Sequence, residues 1–205
     1  MRLGVLRRLG VLRLGVLRRL GVLWLGVLRR LGVKRLYKLR LSDRLRTMPL
    51  QDFYLDYLRN RLEPGEFVQA LRLPLPAPDQ ALQERLRVYK LSKRRDCDIS
   101  GLSAGLWLRL DGDRVVDARF AFGGMAAIVK RAAGAEAAVR GQPWTEATVQ
   151  SAMRALDADF QPLSDLRASA SYRRRAARNL LLRLWLETRA DTPLPAEQVS
   201  VWSAT

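Results

Sequence analysis

The chain contains no histidine and a single cysteine, Cys97. A structural zinc site takes about four Cys or His ligands and a cysteine-held iron–sulfur cluster about four thiolates, so these residues build neither. One thiol forms no internal disulfide, and cysteine usage therefore leaves the redox compartment unmarked. Without histidine a Ser-His-Asp triad is excluded, leaving Lys, Asp or Glu as the available bases. No apolar run approaches the roughly 20 residues that cross a bilayer, because Arg interrupts the N-terminal stretch every few positions. The same interruptions leave no apolar stretch of about 7 to 15 residues for a secretory signal, and a cytoplasmic location is expected.

Acidic residues are scarce at one end only. The chain has 205 residues and a formal net charge of +17. Residues 1–47 hold twelve Arg and two Lys against Asp43 alone, a net of +13. The remainder holds 23 basic and 19 acidic side chains, a net of +4, which is the mixed surface of an ordinary domain. The charge that would suggest a nucleic acid or an anionic membrane as partner therefore belongs to the N-terminal segment.

That segment is a repeat. Residues 2–34 read RLGVLRRLGVL, RLGVLRRLGVL and WLGVLRRLGVK, one eleven-residue unit written three times. An eleven-residue period corresponds to about 3.67 residues per helical turn. Arg2 and Arg13 fall inside the leucine arc of such a helix, and each of Gly4, Gly10, Gly15, Gly21, Gly26 and Gly32 weakens it by roughly 1 kcal/mol. A basic membrane-binding or nucleic-acid-binding protein acting through the repeat is the alternative reading. Only Trp24 and Tyr37 offer rings for base stacking. Near identity of the copies points instead to recent tandem duplication or reading-frame slippage at the DNA level. We expect residues 1–47 to be a low-complexity extension, non-globular or helical, without a nucleic-acid partner or membrane role.

The character changes at Met48. Residues 52–61 read as a short helix, Glu63-Pro64-Gly65-Glu66 as a turn, and 67–73 as a strand that Pro74, Pro76 and Pro78 end. RLRVYKL (85–91) is strand-compatible. In GLSAGLWLRL (101–110), Ala104, Leu106, Leu108 and Leu110 share one face, with Trp107 and Arg109 on the other. Asp111-Gly112-Asp113 is a hairpin connection to RVVDARFAFGG (114–124). Ala-rich 132–141 reads as a helix closed by Gly141, and Thr145 as the N-cap of a second helix to about Ala158, with Val149, Met153 and Leu156 inward. Ser164 or Asp165 is expected to cap a long third helix through Glu187, with Ala177, Leu180, Leu181 and Leu184 buried and Arg173, Arg174, Arg175 and Arg178 exposed or at a subunit contact. The fold class is α+β: a small antiparallel sheet of three to four strands packed on about three helices, preceded by the repetitive basic extension.

KLSKRRDCDIS, FGGMAAIVKRA and PLSDLRASASYRRRAARNLLLRLWLE resemble the C-terminal domain of the FAD-binding subunit of molybdenum hydroxylases, most closely the small subunit of bacterial xanthine dehydrogenases. PLQDFYLDY followed by LEPGEFVQALRLP is similar to the end of the preceding FAD-binding domain of that family. The resemblance runs from about residue 48 to 190. It implies a remnant of the FAD-binding domain at 48–78, a CO dehydrogenase flavoprotein C-terminal-like domain at 79–190 and a tail at 191–205. It further implies an oxidoreductase subunit that passes electrons from iron–sulfur clusters through FAD to NAD, while a molybdenum-binding large subunit oxidises the substrate. By resemblance the flavin-side loop is Lys90 to Asp98, with Lys90 nearest the ring and Arg94 and Asp98 ordering the loop; Cys97 occupies a variable position and carries no role. A cation beside the N1 and O2 edge suits the negative charge of the reduced ring.

The same residues have plainer readings. Lys90, Lys93, Arg94 and Arg95 are a charge run of the kind usually found on a solvated surface. Gly123-Gly124 lacks the GxGxxG or GxxxxGK[ST] context of a phosphate loop and reads as a sharp turn. Asp165, Arg167 and Tyr172 read as an ion pair and a helix start. In the family a glycine-rich segment upstream holds the FAD pyrophosphate and a cysteine-rich iron–sulfur domain precedes it. This chain has the RLGVL repeat there, so the resemblance is to a subunit truncated at its N-terminus, and the isolated chain is expected neither to hold FAD nor to act as an enzyme alone.

Overall fold

The computed structural model describes residues 10–13, 36–41, 44–73, 83–94, 98–195 and 198. Two four-stranded antiparallel sheets and a short hairpin carry the β-structure of these residues. In the first sheet the order is β1 (Gly10–Arg13), β6 (Phe67–Leu73), β2 (Leu36–Leu41) and β3 (Arg44–Pro49). The described part of the 1–47 extension is thus strand rather than helix, with Gly10 to Arg13 paired to Leu73 to Ala70; the rest lies outside the described residues. The prolines expected to end β6, and the boundary at 78/79, also lie outside them.

The helix expected at 52–61 is absent. A four-residue helix, α1 (Leu50–Phe53), gives way to β4 (Tyr54–Asp56) and β5 (Arg59–Asn60), joined by a tight turn at Tyr57 and Leu58. Local side-chain bonds compete with the helix here: Asp56 Oδ1 accepts the Tyr57 N–H at 2.7 Å and Asn60 Oδ1 the Leu62 N–H at 2.9 Å. Phe53 is buried and packs edge-on to Tyr54, with centroids 4.9 Å apart. The following turn forms as its sequence dictates. Pro64 fits its second position, Gly65 takes φ +82°, and the Glu66 N–H donates to the Glu63 carbonyl at 2.9 Å.

The second sheet has the order β10 (Lys130–Arg131), β9 (Arg114–Gly123), β8 (Leu102–Asp111) and β7 (Glu84–Leu91). Both faces of β8 are covered from Leu102 to Leu106, and the period-two pattern separates them only beyond that. Leu102, Ala104, Leu106 and Leu108 are fully buried, while Trp107 stays partly exposed, its indole N–H donating to Glu84 at 3.0 Å and its ring stacked under Arg119. Leu110, expected with the inward set, is only half-buried at the strand end. The β8–β9 hairpin closes at Gly112, whose φ of +57° suits a residue without a Cβ.

Three helices complete the core: α2 (Ala133–Val139), α3 (Glu146–Asp159) and α4 (Ala170–Thr188). The α+β arrangement expected from the sequence is the one present. Thr145 caps α3, and Val149, Met153 and Leu156 face inward as their spacing requires. Burial of each such side chain contributes about 1.5–3 kcal/mol. The N–H groups of the first turn of α4 are shared: Ser169, the cap residue, accepts the Tyr172 N–H at 3.2 Å, and Ser164, one of the two residues expected there, accepts the Ala170 N–H at 2.9 Å, whereas Asp165 takes no part. Asp165 is spent on a turn of its own, accepting the N–H groups of Arg167 at 2.8 Å and Ala168 at 3.1 Å. Glu187 ties the far end of α4 to β7, accepting from Arg87 at 2.8 Å, the Tyr89 hydroxyl at 3.0 Å and Arg183 at 2.6 Å.

Candidate functional site

Strand β7 leaves the sheet at Leu91 and the chain returns at Gly101, whose N–H donates to the Leu91 carbonyl at 2.9 Å. The segment between is the loop singled out in the sequence. Asp98 organises it: Oδ2 accepts the backbone N–H of Lys93 at 3.0 Å and of Arg94 at 3.1 Å. These donors, Arg94 first, hold the Asp98 carboxyl below the usual carboxylate range. The Arg94 guanidinium stands 3.8 Å from Asp98 on an exposed side chain, so the backbone bonds dominate over that contact. Arg95, Asp96 and Cys97 lie outside the described residues.

Opposite this loop runs the turn before α4. The Lys93 ammonium crosses to it, donating to the Leu166 carbonyl at 3.0 Å. Between the two lies an open cleft of about 540 Å³ whose walls include Leu91, Lys93, Asp98, Gly101, Ala168 and Tyr172. Gly101 lies beside Ala168, where a Cβ would stand in ordinary contact at 3.4 Å. Lys93 and Asp98 are thus brought together at the cleft. Lys90 and Arg94 are exposed and form no part of its lining. Lys90 stands cross-strand from Ser103, one residue from the core-facing Tyr89.

The turn opposite is anchored by a residue that the sequence reading placed on the surface. Arg173 is buried. Its Nη2 donates to both oxygens of Asp165 at 2.7 Å and its Nη1 to the Gly124 carbonyl at 2.8 Å. The ion pair expected of Asp165 therefore forms with Arg173, while Arg167 contributes its backbone N–H. The N–H of Arg167 and the guanidinium of Arg173 pull the Asp165 carboxyl down to about 2. One signal was readable: position 173 lies four residues before Ala177 and continues the buried stripe of Leu180, Leu181 and Leu184. Gly123 and Gly124 serve the turn they were expected to serve, Gly124 at φ +84°.

Chemically the cleft offers a cation, carboxylate-ordered backbone and apolar walls, the features that suit the polar edge of a planar ring carrying negative charge when reduced. The residues present fit the edge of a flavin ring.

Residues 87–188 match the CO dehydrogenase flavoprotein C-terminal domain family. The xanthine dehydrogenase of Emericella nidulans is 35% identical over 123 residues, 59% of this chain and 9% of that protein. The carbon monoxide dehydrogenase medium chain of Hydrogenophaga pseudoflava is 28% identical over 138 residues, 67% of this chain and 46% of that one. Among solved structures, carbon monoxide dehydrogenase from Hydrogenophaga pseudoflava aligns with a TM-score of 0.67 and 29% identity, covering 77% of this chain and 53% of that one. Quinoline 2-oxidoreductase from Pseudomonas putida 86 shares the fold, with a TM-score of 0.69 at 23% identity over 83% of this chain and 57% of that one. The chain spans about half the length of the medium chain and about a tenth of the fungal enzyme. Through residues 87–188 the chain belongs to the CO dehydrogenase flavoprotein C-terminal domain family, the type found in FAD-binding subunits of molybdenum hydroxylases.

Proposed function

We propose that this chain supplies one wall of the flavin site in a xanthine dehydrogenase-type molybdenum hydroxylase, within a subunit that carries electrons from iron–sulfur clusters through FAD to NAD. The substrate would be oxidised on a molybdenum-binding large subunit, in the cytoplasm. The observation that carries the reading is the family match over the Lys90–Asp98 loop and the helices behind it.

In this role Asp98 holds the loop by its two backbone bonds. Lys93, tied to the Leu166 carbonyl, fixes the width of the cleft. Lys90, exposed at the end of β7, is the cation nearest the ring, and Arg94 supports the loop from outside. FAD, when bound, would accept electrons and hand them on as hydride. The protein's part is to place positive charge at the edge where the reduced ring is negative. In this reading the cleft would meet a ring edge, whereas a pyrophosphate is held by a series of backbone N–H donors. We infer that those donors come from outside residues 87–188, and that the chain alone releases FAD.

The test is visible absorbance of the purified chain after mixing with excess FAD and removal of unbound flavin. A folded, colourless protein is expected. Retention of about one flavin per chain would show that the 205 residues suffice. Failure of any FAD-binding partner chain to recruit this one would remove the subunit reading.

A further inference from the structure

The cleft beside Lys93 is tied together by a ring of contacts whose hub lies behind its wall. Arg173 is buried, at 6% exposure, and is not among the residues lining that cleft. Its guanidinium reaches two ways. Nη1 donates to the Gly124 carbonyl at 2.8 Å, and Nη2 donates to both oxygens of Asp165 at 2.7 Å.

Each arm leads to one side of the cleft. Gly124 packs backbone to backbone on Gly101, where a Cβ would meet the Gly101 carbonyl at 2.7 Å. Gly101 closes the foot of the loop that carries Lys93, its N–H donating to the Leu91 carbonyl at 2.9 Å. On the other side Asp165 brackets Leu166, accepting the N–H groups of Arg167 at 2.8 Å and Ala168 at 3.1 Å. The Leu166 carbonyl so placed receives the Lys93 ammonium at 3.0 Å, which completes the ring.

Polar bonds rather than apolar packing place that carbonyl. Leu163 and Leu166 are 79% and 95% exposed, so burial of their side chains does little to hold the turn. A guanidinium suits the hub because its planar fork holds two acceptors at a set separation, whereas a lysine offers one point charge on a flexible stem. We propose that Arg173 is a positioning residue for Lys93: acting through Asp165 and the Leu166 carbonyl, it sets where the Lys93 ammonium stands and how wide the cleft is. The bearing on flavin rests on the function proposed above; the placing of Lys93 does not.

The first test therefore needs no flavin. The full-length chain is labelled with trace acetic anhydride, and acetylation of Lys93 is read by mass spectrometry against Lys90, which is exposed and outside the cleft lining. Asp165→Asn sets an amide N–H against the guanidinium while keeping an acceptor for the turn, and Arg173→Lys keeps the charge without the fork. In both, the Lys93-to-Lys90 ratio is expected to rise about twofold to fivefold as the tie to the carbonyl is lost. Asp159→Ala, which removes the acceptor of the Gly134 and Ala135 N–H groups, controls for general loosening and should leave the ratio unchanged. An unchanged ratio in either of the first two variants would overturn the proposal, and so would an equal rise in Asp159→Ala. The second test uses the FAD-loaded complex with partner chains. Asp165→Asn should release flavin as fast as Lys93→Met, and the double variant no faster than either. Release rates that multiply in the double variant would mean independent action and would also overturn it. A wild-type complex that takes up no flavin would sink the flavin reading alone, and the labelling ratio would still decide what places Lys93.

Discussion

Gly124 lies backbone to backbone against Gly101, with room for no Cβ: one built on Gly124 would stand 2.7 Å from the Gly101 carbonyl oxygen. Its φ of +84° is in addition a conformation that side chains other than glycine's disfavour. Gly124→Ala should therefore lose roughly 1–3 kcal/mol from strain, with the clash added. Gly112→Asn is the contrast, since its φ of +57° suits Asn and nothing stands within 4 Å of a Cβ there. Urea unfolding of the two variants should differ by about 1 kcal/mol or more; equal midpoints would mean that neither the backbone strain at Gly124 nor the contact with Gly101 costs stability.

Asp165 makes the chain acid-sensitive in a defined window. Its folded carboxyl is pulled to about 2, below its ordinary value of 3.8, by the Arg167 N–H first and then by Arg173. A depressed carboxylate contributes stability above the unfolded pKa, and that contribution fades as pH falls through the folded one. Stability should drop between about pH 4 and pH 2, modestly because the carboxylate is half-exposed, and less in high salt. Asp165→Asn should be weaker at pH 7 and lack that component of the acid limb. An Asn variant with the wild-type acid profile would assign the loss to other carboxylates.

On the alkaline side Tyr89 contributes. Burial first, then the neighbouring Glu187, pushes its hydroxyl well above the ordinary value of 10.0. A raised pKa means that stability is intact below the unfolded value and is lost as pH rises above it. Thermal unfolding from pH 9 to 12 should show a decline in the wild-type chain that Tyr89→Phe removes. Glu187→Gln should bring the phenol down without restoring it fully, since burial remains, which absorbance titration near 295 nm reads directly.

Much of the second sheet was legible because its signals were local. The alternation in Leu102 to Leu108 names the buried face, Gly112 names the hairpin, and Thr145 is followed by a run with helical spacing. What was not legible depended on partners distant in sequence. Tyr54 to Asn60 has helix-compatible composition, yet the buried Phe53 and the side-chain bonds of Asp56 and Asn60 make it a hairpin. Ser164, Asp165 and Ser169 are all good caps by residue type; Ser164 and Ser169 share the first N–H groups of α4, and Asp165 is withdrawn because Arg173 claims it. The loop from Lys90 to Asp98 was recognisable as a string, but that Lys93 rather than Lys90 would face the cleft follows only from the Leu166 carbonyl across it.

The same distant logic caps α2. Its N-cap position, Ala132, has no side-chain acceptor, and Asp159 at the end of α3 accepts the Gly134 N–H at 2.8 Å and the Ala135 N–H at 3.0 Å instead. Asp159→Ala should lose about 0.5–2 kcal/mol, as other cap deletions do, and should loosen α2 first. Faster amide exchange at Gly134 and Ala135 than at the α3 amides is the expected signature. Uniform acceleration throughout would make α2 and α3 one cooperative unit.

If Lys90 is the cation beside the flavin, its effect must appear on the reduced ring. Reduction adds negative charge near N1 and O2, so removing a nearby cation destabilises the reduced form more than the oxidised one. Lys90→Gln, in the FAD-loaded complex of this chain with its partner chains, should make the flavin midpoint potential more negative. Since Lys90 is exposed in this chain, the shift should shrink as salt screens it. Lys93→Met tests the other assignment. It breaks the tie to the Leu166 carbonyl and should loosen flavin retention with a smaller change in potential. A Lys90 variant with an unchanged potential beside a Lys93 variant with a lowered one would exchange the two roles, making Lys93, in the wall of the cleft, the cation nearest the ring.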